Sequence, residues 1–426
     1  MPGKKYWGNM SEGFIETRLA ELQKFLNNLS KYPYIYGHRA VAEFFGLQSQ
    51  LMGDFKYWAL VLTSKASGFI DGDTWFQNGW RGNKLNYLLT SKATSSILSF
   101  LPYGPDSWRF RKISDTRAAL NVLSKLNSTY ISQASSVWVD EKGVSTINEL
   151  SKDGSLRDKM YQTRSYDDFL YKYGHENWGS LDVGMVKLYG KQILDALIML
   201  NKLNYPFVDV HCGNLWVKDG FIQIGDVEFT VCGHSSMLRQ EMLKSKLVKS
   251  LQDMMVFSFG TCMYEMLGGR LMYSEEESLD VVPDDGLTII ESIFSPHGSQ
   301  LPTLQQLFDH SFFSDVSFQQ SNVTDIELTE TEKSVLSKMT NNLETRFAVE
   351  KTLLEEFFSN GHPSQVINQT TSFLKANEML RINHMKLLPK SGIELTNTQN
   401  IIPSEDHKVI NPMTSTNQSE GLTVDS

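Results

Sequence analysis

The feature of this 426-residue sequence that most constrains its fold is the spacing of three polar residues between one amphipathic and one apolar helix pattern. Asp209 lies in Phe207-Val208-Asp209-Val210-His211-Cys212-Gly213-Asn214, so Asn214 follows it by five residues, and Asp226 comes two strand-like pieces later in Asp226-Val227-Glu228. A single Asp in a turn is ordinarily a helix cap. Three such groups in register instead suit a proton-accepting carboxylate followed by two ligands for a divalent cation beside a phosphate chain.

The flanking pattern fits that reading. Val183 to Leu200 forms an amphipathic helix with Val186, Tyr189, Ile193, Leu197 and Leu200 inward. Phe257-Ser258-Phe259-Gly260 and Met263 to Arg270 resemble the central helix of a protein-kinase C-lobe, and Pro302-Thr303 with His310, Phe312 and Phe313 resembles its closing segment. Upstream, Asn148-Glu149-Leu150 and Gly154-Ser155-Leu156 resemble the hinge and the helix after it. Strands are expected at 86–90, 97–101, within 134–150 and at 221–224, and helices at 114–126 and 329–358. The predicted class is α+β: a bilobal protein-kinase-like fold with an N-lobe over 68–150 and a C-lobe over 151–315. A helical extension over 329–388 and a disordered tail over 389–426 follow, the tail because Ser, Thr, Asn, Gln and Pro dominate it.

Against this frame, much of the phosphate-handling equipment is missing. Asn78-Gly79-Trp80-Arg81-Gly82 lacks the glycine order that lets a backbone approach phosphates. No Lys occurs in Ile97 to Phe100, where a strand lysine is expected, and the helix at 114–126 has no Glu to pair with one. Glu228 replaces the Gly of D-F-G and His211 the catalytic-loop Lys, and no A-P-E follows between Asp226 and Met255. Phosphoryl transfer is positioning and charge neutralisation, so these losses together predict a pseudokinase with Asp209 as a vestigial base. Asn214, Asp226 and His211 remain as cofactor-binding candidates, with Asn214 and Asp226 as metal ligands for a weakly held or absent ATP with Mg2+. Glu228 either points into the cleft, where a divalent cation would have to neutralise it, or pairs outward. The alternative to a scaffold is a weakly active or atypical Ser/Thr kinase.

Composition narrows the remaining classes. A net charge of −9 argues against a nucleic-acid partner. Three cysteines, Cys212, Cys232 and Cys262, fit neither a disulfide framework nor a zinc site and point to a reducing cytosol. The longest apolar run, Met254 to Leu267, is broken by Ser258, Gly260, Thr261 and Glu265, so a soluble protein is expected.

Several marks together resemble the PX-domain-containing kinase-like proteins grouped with the slowpoke-binding protein: Val186 to Leu194, His211-Cys212-Gly213-Asn214, Asp226-Val227-Glu228 and Gly104-Pro105-Asp106. The resemblance covers roughly residues 1 to 315. It implies a cytoplasmic, peripheral-membrane adaptor with endosomal association, acting in trafficking or on membrane-associated partners such as ion-transport subunits. Pro2 to Gly8 resembles the end of a PX domain's Pro-rich loop, and Phe14 to Leu29 its helix, so residues 1–48 read as the C-terminal part of a PX-like domain. By this resemblance Lys4 and Arg18 are the phosphoinositide contacts, weakened because the preceding sheet is not in the sequence. Six Lys or Arg against four Glu in residues 1 to 45 give only a small attraction to lipid.

Overall fold

A computed structural model describes residues 12–29, 44, 70–75, 84–90 and 95–104. From 112 to 360 it describes all but 127, 142, 152–153, 165–178, 237, 273–277, 296–299, 320 and 322–325. The glycine-containing segment at 78–82, Lys4 and the tail expected at 389–426 lie outside the described residues.

Helix α1 spans Glu12–Leu29 and carries Arg18, with Ile15 and Leu19 exposed. Five antiparallel strands follow: β1 Ile70–Trp75, β2 Leu85–Thr90, β3 Ser95–Pro102, β4 Ser136–Val139 and β5 Gly143–Glu149, in the order β1-β2-β3-β5-β4. Helix α2, Ile113–Lys125, joins β3 to β4. Alternation along the strands divides the sheet into two faces. Leu85, Tyr87, Leu89, Leu98, Phe100, Trp138 and Ile147 form a separate apolar cluster on one. The opposite face turns Lys84, Asn86, Ile97, Ser99, Thr146 and Asn148 toward a cavity.

The second lobe is mostly helical. α3 (Leu156–Met160) and α4 (Val183–Lys202) precede a hairpin of β6 (Leu215–Lys218) and β7 (Phe221–Ile224). α5 (Arg239–Lys244), α6 (Leu251–Gly268), α7 (Asp284–Phe294) and α8 (Leu304–Phe308) complete it. α4 buries the residues that its 3.6-residue period assigns inward, Val186, Tyr189, Ile193, Leu197 and Leu200. α6 is buried from Met254 to Leu267 with no polar face, as expected of a helix enclosed on all sides. Its few polar groups are satisfied inside: Ser258 Oγ donates to the carbonyls of Val208 (2.8 Å) and Met254 (2.7 Å), and Glu265 takes Arg157 of α3 through two bonds of 2.5 and 2.6 Å.

α9, Glu330–Asn360, runs along the domain with Leu336, Thr340, Leu343 and Phe347 buried at helical spacing. Glu332 both caps this helix, accepting from the Thr329 N–H at 2.8 Å, and reaches α2, accepting from Asn121 Nδ2 (2.8 Å) and Lys125 Nζ (2.7 Å). Farther along, Arg239 of α5 meets Glu350 at 2.9 Å, and the Leu251 N–H at the start of α6 donates to Glu344 at 2.7 Å. One helix thus fastens α2 of the first lobe to α5 and α6 of the second. The result is the bilobal protein-kinase-like α+β fold that the sequence predicts.

Candidate functional site

The loop containing Asp209 is shaped by backbone needs. Asn214 donates through Nδ2 to the Asp209 carbonyl and accepts from the His211 N–H at 3.1 Å, closing the turn on itself. The Gly213 N–H donates to His211 Nδ1 at 3.1 Å, which places a neutral imidazole's proton on Nε2, 3.7 Å from Asp209 Oδ2. Asp209 and Asn214 are fully buried and His211 nearly so. Cys212 lies beneath, its Sγ 3.5 Å from that of Cys262. Burial, then Cys262, pushes the Cys212 thiol well up, leaving no reactive thiolate. All three cysteines are free and buried.

From Asn214 the chain crosses the β6–β7 hairpin to Gly225 and Asp226. Gly225 has no room for a side chain: a Cβ there would fall 2.0 Å from Trp216 Nε1, so the indole packs directly against this backbone. Asp226 has a positive φ of 55°, a conformation that non-glycine residues hold only where their surroundings fix it. Its side chain is held by Lys84. The residue just before β2 sends Nζ, nearly inaccessible to solvent, to Asp226 Oδ1 and to Glu228 Oε1 at 2.8 Å. Burial alone would lower the Lys84 pKa, but the two carboxylates outweigh it and hold the ammonium above its ordinary value.

This corrects two sequence expectations. A lysine does reach the site, from the lead-in to β2 rather than from β3, where Ser99 faces the cavity. The sheet register explains the exchange: Asn86 pairs with Ser99, so Lys84, two residues earlier, shares their face. Of the two orientations open to Glu228, the inward one is adopted, with an internal ammonium as its counter-ion. The period-2 pattern Lys84-Leu85-Asn86-Tyr87 carried the signal, since a lysine in phase with Asn86 faces the same side. Among the described residues, no group of three or more His, Cys, Asp or Glu is arranged to hold a metal ion.

After Glu228 the chain coils through Phe229 to His234 and docks on the end of β3. The Gly104 N–H donates to the Cys232 carbonyl at 2.8 Å, and His234 Nε2 lies 2.6 Å from the Pro102 carbonyl while its ring stacks on Phe229. A Cβ on Gly104 would fall 2.2 Å from the Gly233 carbonyl oxygen, so only glycine permits this approach. Gly104, singled out in the sequence, is thus the point where the first lobe is pinned to the segment following Asp226. Arg18 stands on α1 and is not among the residues that line this cleft.

Comparison with known proteins follows the same lines. Residues 1–48 match the PX domain family. A mouse PX domain-containing protein kinase-like protein is 26% identical over 337 residues, 74% of this chain and 56% of its own length. The Drosophila melanogaster slowpoke-binding protein is 25% identical, with 54% of this chain and 49% of its own covered. A Dictyostelium discoideum protein described as probable inactive serine/threonine-protein kinase slob2 is 31% identical over 38% of this chain and 28% of its own. The chain spans about half the length of the first two relatives. No helix among the described residues is long and apolar enough to cross a membrane. The resemblance read from the residues, to the PX domain-containing kinase-like and slowpoke-binding proteins, is borne out by these matches.

Proposed function

We propose that this chain is a catalytically silent, protein-kinase-like scaffold that acts at membranes by holding a membrane-associated protein partner. The observation that carries the reading is the Lys84 bridge. The ammonium takes up both Asp226 and Glu228, so the carboxylates that would draw a divalent cation into the cleft already have one from within. Asp209, the residue placed to accept a proton, is fully buried, and its loop is closed by Asn214 rather than open to a substrate hydroxyl. The PX match supports a phosphoinositide surface and an endosomal or peripheral-membrane setting, with Lys4 and Arg18 as contacts. The name of the Drosophila relative supports an ion-channel subunit as the kind of partner.

A second reading, a weakly active Ser/Thr kinase, is favoured by one fact: Lys84 is in the cleft, where it could turn from Glu228 to a phosphate. Incubation of the purified chain with labelled ATP and Mg2+ or Mn2+ separates the two. The scaffold reading expects no incorporation, with wild type and Asp209→Asn alike. Incorporation that disappears in Asp209→Asn would establish the kinase. Recovery of an integral membrane protein with the tagged full chain from detergent extracts tests the partner class.

A further inference from the structure

Helix α2 forms one wall of the cleft through Leu120, Leu123 and Ser124, yet two features mark its seat as imposed from outside. The helix opens at Lys112 without a side-chain cap. Thr116, fully buried on it, leaves its hydroxyl without a hydrogen-bond partner, a cost that buried polar groups seldom bear. On the cleft side, Lys84 is committed to Asp226 and Glu228, and α2 carries no glutamate to compete for it.

What grips α2 is α9. Asn121 Nδ2 and Lys125 Nζ donate to the Glu332 carboxylate at 2.8 and 2.7 Å, and Lys338 Nζ donates to Asp115 Oδ2 at 2.8 Å, so α2 is held near both ends. Val335 and Leu336, between those contacts on α9, are buried in the same apolar core as Ala119, Leu120 and Val122 of α2. Glu332 is the main catch. Its side chain is 5% exposed, whereas that of Lys338 is 46% exposed, where an ion pair contributes little.

The remainder of α9 belongs to the second lobe. Thr340 Oγ1 donates to the Asn204 carbonyl at 3.0 Å and Lys351 Nζ to the Val248 carbonyl at 2.9 Å, while Arg239 lies 5.8 Å from the centre of the Phe347 ring beside its bond to Glu350. From Glu332 to Lys351 the helix covers about 28 Å at about 1.5 Å per residue, enough to carry contacts from one lobe to the other. The Lys84 bridge joins the lobes by a separate route.

We propose that α9 is a latch anchored on the second lobe, that its Glu332 end sets the position of α2 against the cleft, and that releasing this end frees α2 alone, with both lobes still folded and joined through Lys84. The proposal is independent of the scaffold reading, because it involves neither substrate nor partner.

Hydrogen exchange of the full chain, read by mass spectrometry, tests it, since amides report local opening element by element. In Glu332→Ala the amides of α2 are expected to exchange at least tenfold faster than in wild type, and in Lys338→Asp, which sets two carboxylates face to face, at least threefold faster. Those of β2, α6 and α7 should stay within twofold in both. The reversed pair Asp115→Lys/Lys338→Asp should slow α2 at least twofold relative to Lys338→Asp alone, a rescue that a general loss of stability would not give. Unchanged α2 exchange in Glu332→Ala, acceleration of α6 as large as that of α2, or no rescue by the reversed pair would each overturn the proposal. Should Glu332→Ala not fold, Lys338→Asp and its reversed pair decide alone.

Discussion

Lys84 donates to Glu228 at 2.8 Å across 144 residues of sequence, with both side chains buried. The contact joins the lead-in to a first-lobe strand to the segment after Asp226, so it couples the two lobes as well as neutralising the cleft.

Removing the ammonium takes a buried counter-ion from Asp226 and Glu228. Lys84→Met should destabilise the chain by about 3–5 kcal/mol, the usual cost of breaking a buried pair from one side. Adding Asp226→Asn and Glu228→Gln should recover most of it, because amides carry no charge to bury. Urea unfolding of the three proteins reads the difference. A Lys84→Met protein as stable as wild type would show that the bridge carries no weight.

Glu332 predicts acid sensitivity at the α2–α9 junction. Burial raises its pKa, but bonds from Lys125, Thr329 and Asn121 outweigh this and hold the carboxyl at about 2, against an ordinary 4.5. A carboxylate with a depressed folded pKa stabilises the fold above its unfolded value and loses that contribution as pH falls from about 4.5 through about 2. The stability difference between wild type and Glu332→Gln should therefore be full near neutrality and shrink across that window. A difference independent of pH would refute the assignment.

Arg157 and Glu265 test the second lobe alone. Both are buried and joined by two bonds, so Glu265→Gln, which removes the charge that Arg157 meets there, should cost about 3–5 kcal/mol in thermal or urea unfolding. The pair lies away from the Lys84 bridge. Its effect should add to that of Lys84→Met within about 0.5 kcal/mol.

Lipid binding should be weak. The net excess of two cations in residues 1 to 45 corresponds to about 2 kcal/mol at an anionic surface, at about 1 kcal/mol per charge. Pelleting with phosphoinositide liposomes should show low, salt-sensitive recovery, with Arg18→Ala reducing it modestly. Tight, headgroup-selective binding abolished by Arg18→Ala would instead show a formed pocket.

The sequence by itself determined most of the strands around the cleft and the long helices, though not β1, α5 or α7. The inward residues of α4, the mainly apolar run of α6 and the five-residue step from Asp209 to Asn214 are local periodicities and spacings, set by residues close in the chain. It also showed that β3 lacks a lysine and α2 a glutamate, and both absences stand. Only the tertiary structure decided what replaces them. Strand register placed Lys84 in phase with Asn86 and Ser99, folding brought Asp226 and Glu228 to its ammonium, and burial fixed the charge that results. The period-2 pattern puts Lys84 on the same side as Asn86, but a pairing with Asp226 and Glu228, more than a hundred residues away, leaves no local trace, because the pattern says which way a side chain faces and not which distant group meets it.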